Sequence, residues 1–165
     1  MTDAAISPPV AVPALSRPAV ASWLALLVPA GLLGGALGSQ YLGGLHPCEM
    51  CYWQRWPHGA AIVVAGLAFL VPDRARTLTL LAAVAIAVSG GIGVYHALVE
   101  LGILEGLTTC TTSGGGSLAD ILATPLVRCD QIQFAFLGIS MAGWNAILSL
   151  GSAIAIFWLL VGARK

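Results

Sequence analysis

Apolar residues run along this chain in four long stretches, and charge marks the interruptions between them. Uncharged windows lie at 18–48, 56–72, 77–99 and 131–163. A helix needs about 20 apolar residues, within a range of about 17 to 25, to cross the hydrocarbon core of a bilayer. Each window therefore holds one span, expected at about 20–43, 52–71, 77–98 and 136–161. The second window is the shortest, so its span borrows Tyr52 and Trp53 at its start. None carries the polar face that a soluble amphipathic helix would show. The pattern predicts an all-α fold, an integral membrane four-helix bundle forming a single domain over 19–163. Its outer loops fall at about 44–51 and 99–135, and both carry cysteines.

Composition agrees with this reading. Hydrophobic residues make up 58% of the chain and charged residues 8%, against about 25% charged in soluble domains. Seven basic residues balance seven acidic ones, and no basic stripe exists to meet nucleic acid. Arg17, Arg74, Arg76, Arg164 and Lys165 fall on one side of the bundle, Arg55 and Arg128 on the other. The bias of Lys and Arg toward the cytoplasm puts both termini there and turns all four cysteines outward.

The proline-rich segment 1–18 reads as a disordered cytoplasmic tail, and 164–165 as the cytoplasmic end. A cleaved signal peptide, with Ala36, Leu37 and Gly38 as its small-residue site, is the alternative for the first window. That window is longer than an h-region and is preceded by Arg17 alone. Gly31 with Gly35, and Gly34 with Gly38, give four-residue spacing of the kind that lets helices approach closely, read here as generic helix packing. In the long loop, Ser117 to Asp120 resembles a capping box. Leu118, Ile121, Leu122 and Leu126 share one face of a short helix that would lie on the membrane, the alternative being ordinary turns after the glycine run 114–116.

Chemistry concentrates in LHPCEMCYWQRWPH, residues 45–58. Cys48 and Cys51 could close a disulfide, bind metal with a second such pair, or exchange disulfides with a partner. The other pair, Cys110 and Cys129, is widely separated, which fits a four-thiolate zinc or iron–sulfur site poorly, and no metal is expected. Purely structural staples would add little, because the loop closed by Cys48 and Cys51 is very short. Four cysteines allow three connectivities, and all remain open on spacing alone.

Pro57 is tolerated in the first turn of a helix, which would put Cys51 at the N-terminus of the second span. There the helix dipole and Arg55, four residues on, would favour a thiolate. Arg55 could instead snorkel to headgroups, and Tyr52, Trp53 and Trp56 could be no more than an aromatic belt. His58 reads as an isolated interfacial hydrogen bonder and Glu49 as a solvated loop charge. His96 stands level with the cysteines, near Tyr95 and Glu100.

Two motifs resemble the DsbB family of disulfide-forming membrane proteins. One is Pro47, Cys48, Cys51 and Arg55 running into the second span; the other is Cys129-Asp130 followed by FLGISM, residues 136–141. The resemblance implies an enzyme of the bacterial inner membrane that reoxidises a periplasmic, DsbA-like thioredoxin-fold oxidase and passes two electrons to ubiquinone or menaquinone. That electron chain is a known example of how the periplasm is kept oxidising. It also implies roles. Cys110 would take the partner's thiolate, and Cys129, released, would attack Cys48 and free Cys51 beside the quinone. Arg55 and His96 would bind the quinone with Cys51. A thiol reductase running the opposite way would need an inward-facing cysteine pair or another cytoplasmic electron source. A scaffold or metal-binding protein is the remaining alternative.

Overall fold

The computed structural model describes residues 16–106 and 127–162. The expected surface helix, Cys110, most of the N-terminal tail and the end 164–165 lie outside the described residues.

Four long helices account for most of the described chain. Helix α1 (Arg17–Tyr41) begins where the Ser16 hydroxyl accepts the Ala19 N–H at 3.4 Å, with Pro18 in its first turn. The chain then reverses at Gly44, whose φ of +68° favours a residue without Cβ. Helix α2 (Glu49–Leu70) is capped by Cys48, whose sulfur accepts the Cys51 N–H. Capping by Cys48 starts the helix earlier than the sequence suggested. Pro57 therefore sits in the third turn and Glu49 at the first helical position, where a negative charge suits the dipole. Cys51 still occupies the first turn.

A 3₁₀ turn (Pro72–Arg74) leads into α3 (Ala75–Glu100). A small hairpin follows, β1 (Ala135–Phe136) with β2 (Ile139–Ser140), antiparallel with Ala135 opposite Ser140. Leu137 and Gly138 turn it with φ of 53° and 78°, the two-residue geometry that fits the twist of paired strands. Helix α4 (Met141–Val161) then starts at the Ser140 cap, later than the expected 136, because the hairpin takes up those residues.

Helix α3 lies at the centre of the packing, against both α2 and α4, and α1 closes the bundle by touching the other three. Three stretches, Arg17–Tyr41, Pro72–Glu100 and Met141–Val161, are long and apolar enough to cross a membrane. Helix α2 has 22 residues but carries Gln54, Arg55 and His58 in its N-terminal half. Gln54 and His58 are buried in the bundle, so those two groups do not face lipid. This is an all-α membrane protein.

The two ends of the bundle are built differently. At the end holding both described termini, Ala21, Ala25, Ala61, Ala65, Ala82 and Ile86 are fully buried and pack the helices together. Small residues allow close backbone approach, which matters where lipid removes the usual hydrophobic drive. The opposite end buries Gln54, His58, Ser89, His96, Asn145 and Ser149.

The glycine expectation is corrected. A Cβ added at Gly31, Gly34, Gly35 or Gly38 would meet nothing within 4 Å among the described residues, so none of the described helices leans on them. Close approach is made by α3 instead. A Cβ at Gly93 would stand 3.0 Å from the Ala142 carbonyl oxygen and the Ala146 nitrogen of α4.

Candidate functional site

Helix starts and helix packing bring the cysteines together. The Cys48 and Cys51 sulfurs lie 2.9 Å apart as thiols, because an N-cap residue and the third helical residue share one turn. Cys129 packs against Cys48, Met50 and Val99 from the segment ahead of β1. Three of the four predicted cysteines therefore meet, and Cys110 lies outside the described residues.

Cys51, one residue ahead of the apolar stretch 52–71, and Cys48 share a proton unequally. The hydrogen bond with Cys51, and then burial, push the Cys48 thiol above the ordinary cysteine range. The hydrogen bond from Cys48 holds Cys51 below that range against the cost of burial, and the Arg55 charge adds to it. Of the two sulfurs, Cys51 is the one on which a thiolate is favoured.

Arg55 is fixed rather than snorkelling. Its Nη1 donates to the Gln40 side-chain oxygen and its Nη2 to the Ala36 carbonyl at 3.2 Å, both on α1. The guanidinium also lies 5.1 Å from the centre of the Tyr52 ring. Its Nε is buried and has no partner among the described residues.

His96 reaches the site from α3. Its Nε2 lies 3.6 Å from the Cys48 sulfur and 3.8 Å from a Glu100 carboxyl oxygen, and the ring also hydrogen-bonds the Cys129 backbone. Its Nδ1 stands 2.9 Å from the Gln54 amide nitrogen. An amide NH₂ can only donate, so Nδ1 accepts and the proton of neutral His96 sits on Nε2. Cys48, Cys51 and His96 place their ligand atoms within 4.8 Å of one another. The nitrogen nearest the sulfurs presents a proton there, however, where a metal needs a lone pair.

His58 is buried, not interfacial. Its Nε2 meets the Asn145 side-chain oxygen at 2.8 Å and the Ser89 hydroxyl at 2.9 Å, while its Nδ1 is buried without a partner among the described residues. Asn145 donates to the Gln54 side-chain oxygen at 2.7 Å and to Ser89. Gln54, Ser89 and Asn145 were not among the sequence candidates. The available signal was the presence of amides and hydroxyls inside the apolar runs, which in a membrane span demand partners.

Cys48, Cys51, Arg55, His58 and His96 line one cavity of about 620 Å³ with a largely apolar wall, and Gly31 and Gly35 leave room on the α1 side. The volume is that of a small-molecule site. Nearby, Arg128 pairs with Asp130, and this exposed partner holds the Asp130 carboxyl below its usual range.

Comparisons with known proteins converge. A family model described as "Disulfide bond formation protein DsbB" matches residues 18–159. The chain is similar to Disulfide bond formation protein B of Aromatoleum aromaticum, 32% identical over 151 residues covering 84% of this chain and 88% of that one. It is also similar to the protein of the same name from Xanthomonas oryzae pv. oryzae, 29% identical over 154 residues covering 86% and 88%. An uncharacterized protein of Rickettsia prowazekii is 25% identical over 126 residues, 72% of this chain and 73% of that one. No solved structure matches.

Proposed function

The chain belongs to the DsbB family of membrane disulfide bond formation proteins, and from that premise we propose that it is a thiol:quinone oxidoreductase serving a DsbA-like thioredoxin-fold oxidase. The observation that carries this reading is the meeting of Cys48 and Cys51 with Arg55 and His96 around one cavity, with Cys129 packed against Cys48.

The residues suit a quinone on their own chemistry. The cavity wall is mostly apolar, as a lipid-soluble ring requires, and the buried Arg55 Nε lacks an acceptor among the described residues. A buried donor without a partner is costly and calls for an oxygen. Arg55 and His96 would hold either ubiquinone or menaquinone beside Cys51. Bound there, the quinone supplies an acceptor for two electrons and two protons at a potential above that of the strongly oxidising partner.

The chain's own steps are exchanges. The partner's thiolate attacks Cys110 and breaks the Cys110–Cys129 disulfide, leaving Cys129 as a thiolate. Cys129 attacks Cys48 in the Cys48–Cys51 disulfide, forming a Cys48–Cys129 bond and releasing Cys51 as a thiolate. The first turn of α2 and the Arg55 charge stabilise that thiolate. The count of basic residues supports an orientation with both termini cytoplasmic and the cysteines periplasmic, in a bacterial inner membrane.

The test mixes purified, quinone-loaded protein with reduced thioredoxin-fold partners and follows quinone absorbance. Wild type reduces quinone and Cys51→Ser does not. Absence of reduction with several partners and both quinone types would sink the reading.

A further inference from the structure

The hydrogen bonds around His96 have a direction. His58 Nε2 donates to the Asn145 side-chain oxygen, because that oxygen can only accept. Asn145 Nδ2 donates to Gln54 Oε1, and Gln54 Nε2 donates to His96 Nδ1. His96 Nε2–H, the single proton of the neutral ring, then faces the Cys48 sulfur and the Cys129 backbone carbonyl, and Cys48 faces Cys51. Neither amide can turn over alone. Reversing Gln54 would set its oxygen against the Met50 carbonyl, which its nitrogen now meets at 3.1 Å. Reversing Asn145 would set its oxygen against the Gln54 oxygen and the Ser89 carbonyl. Ser149 also donates to the Asn145 oxygen at 2.9 Å, which holds it in place.

We propose that Asn145 and Gln54 are positioning residues that lock His96 in its Nε2–H form, so that a one-way chain of donors from His58 ends on the Cys51 sulfur. Bonds aligned in this way polarise one another in a low-dielectric interior. Cys48 is saturated in the chain. Its sulfur accepts from His96 and from the Cys51 backbone, which leaves its own S–H for Cys51. Arg55 adds positive charge to Cys51 from its own helix, while the donor chain starts at His58 on α2, crosses to α4 and back to α2, and then passes through α3. The inference deepens the thiol oxidase reading and rests on it for its purpose, though not for its test.

The titratable and charged groups facing the cysteine pair are Arg55 from α2, His96 and Glu100 from α3, and Cys129 from the segment before β1. None of them is altered by a substitution at position 145.

The test uses the full chain in lipid nanodiscs, fully reduced, with neither quinone nor partner. Nitrogen-15 NMR of the histidines reads the His96 tautomer, and alkylation across pH, located by mass spectrometry, reads the Cys51 thiolate. Wild type shows His96 protonated on Nε2. In Asn145→Leu the tautomer becomes mixed, and the Cys51 midpoint rises by about half to one pH unit, a threefold to tenfold loss of thiolate below it. Gln54→Leu, one bond nearer, moves it further. A wild-type His96 protonated on Nδ1 overturns the proposal without recourse to any variant. So does an Asn145→Leu protein with an unchanged tautomer and Cys51 profile. A protein that passes both tests yet reduces no quinone would leave this inference standing and remove only the oxidase reading.

Discussion

The two ends of this bundle solve the same packing problem with opposite materials. One end buries alanines, with Ser22 to Thr79 at 3.0 Å as a polar contact between helices. The other buries two histidines, two amides and three serines beside the cysteines. In a membrane, small apolar residues are the inexpensive way to join helices, and buried polar groups are kept where chemistry needs them. The alanine end therefore holds the helices together, and the polar end spends that stability on a reactive site.

The largest effect expected from this division is at Cys51. Cys51→Ser lowers quinone reduction by about a thousandfold or more, the scale on which loss of a reacting group is felt, with little change in thermal unfolding. Arg55→Leu comes next. Loss of a hydrogen-bonded charge costs about 1.5–3 kcal/mol, read as a tenfold to hundredfold fall in kcat/KM. Arg55→Lys recovers only part of it, because an ammonium cannot reach Gln40 and Ala36 with the same fork.

At the alanine end the sign of the experiment reverses. Ala61→Leu overpacks a fully buried position and costs about 1–3 kcal/mol of stability, seen as earlier thermal unfolding in detergent, while activity per folded molecule stays at wild type. If activity fell as steeply as stability, the two ends could not be treated as separate. Thr79→Val is the mildest. It removes one interhelical hydrogen bond worth about 0.6 kcal/mol, and Ser22 keeps its bond to the Pro18 carbonyl at 3.2 Å. A small shift in unfolding and unchanged turnover are expected.

Much of this was legible in the sequence, though unevenly. The four helices follow from charge-free windows, which membrane physics makes nearly unambiguous. Cys48, Cys51 and Arg55 were legible because one helical turn fixes their spacing. The Gln54–Asn145 bond joins residues 91 positions apart, and no local period encodes such a pair. His58 looked isolated for the same reason, its partners being on α3 and α4. The glycines of α1 show the converse error. Their spacing suggested contact, but only the placement of the other helices decides whether a bare stripe is covered or left as the wall of a cavity.

The hydrogen-bonded network stops at Ser149 and Ser152, and beyond them the described residues close over with Ala82, Ala61 and Ile156. That closure is a dry, apolar partition across the middle of the bundle. Among the described residues, no hydrogen bond joins the network to the Ser22–Thr79 pair on its far side.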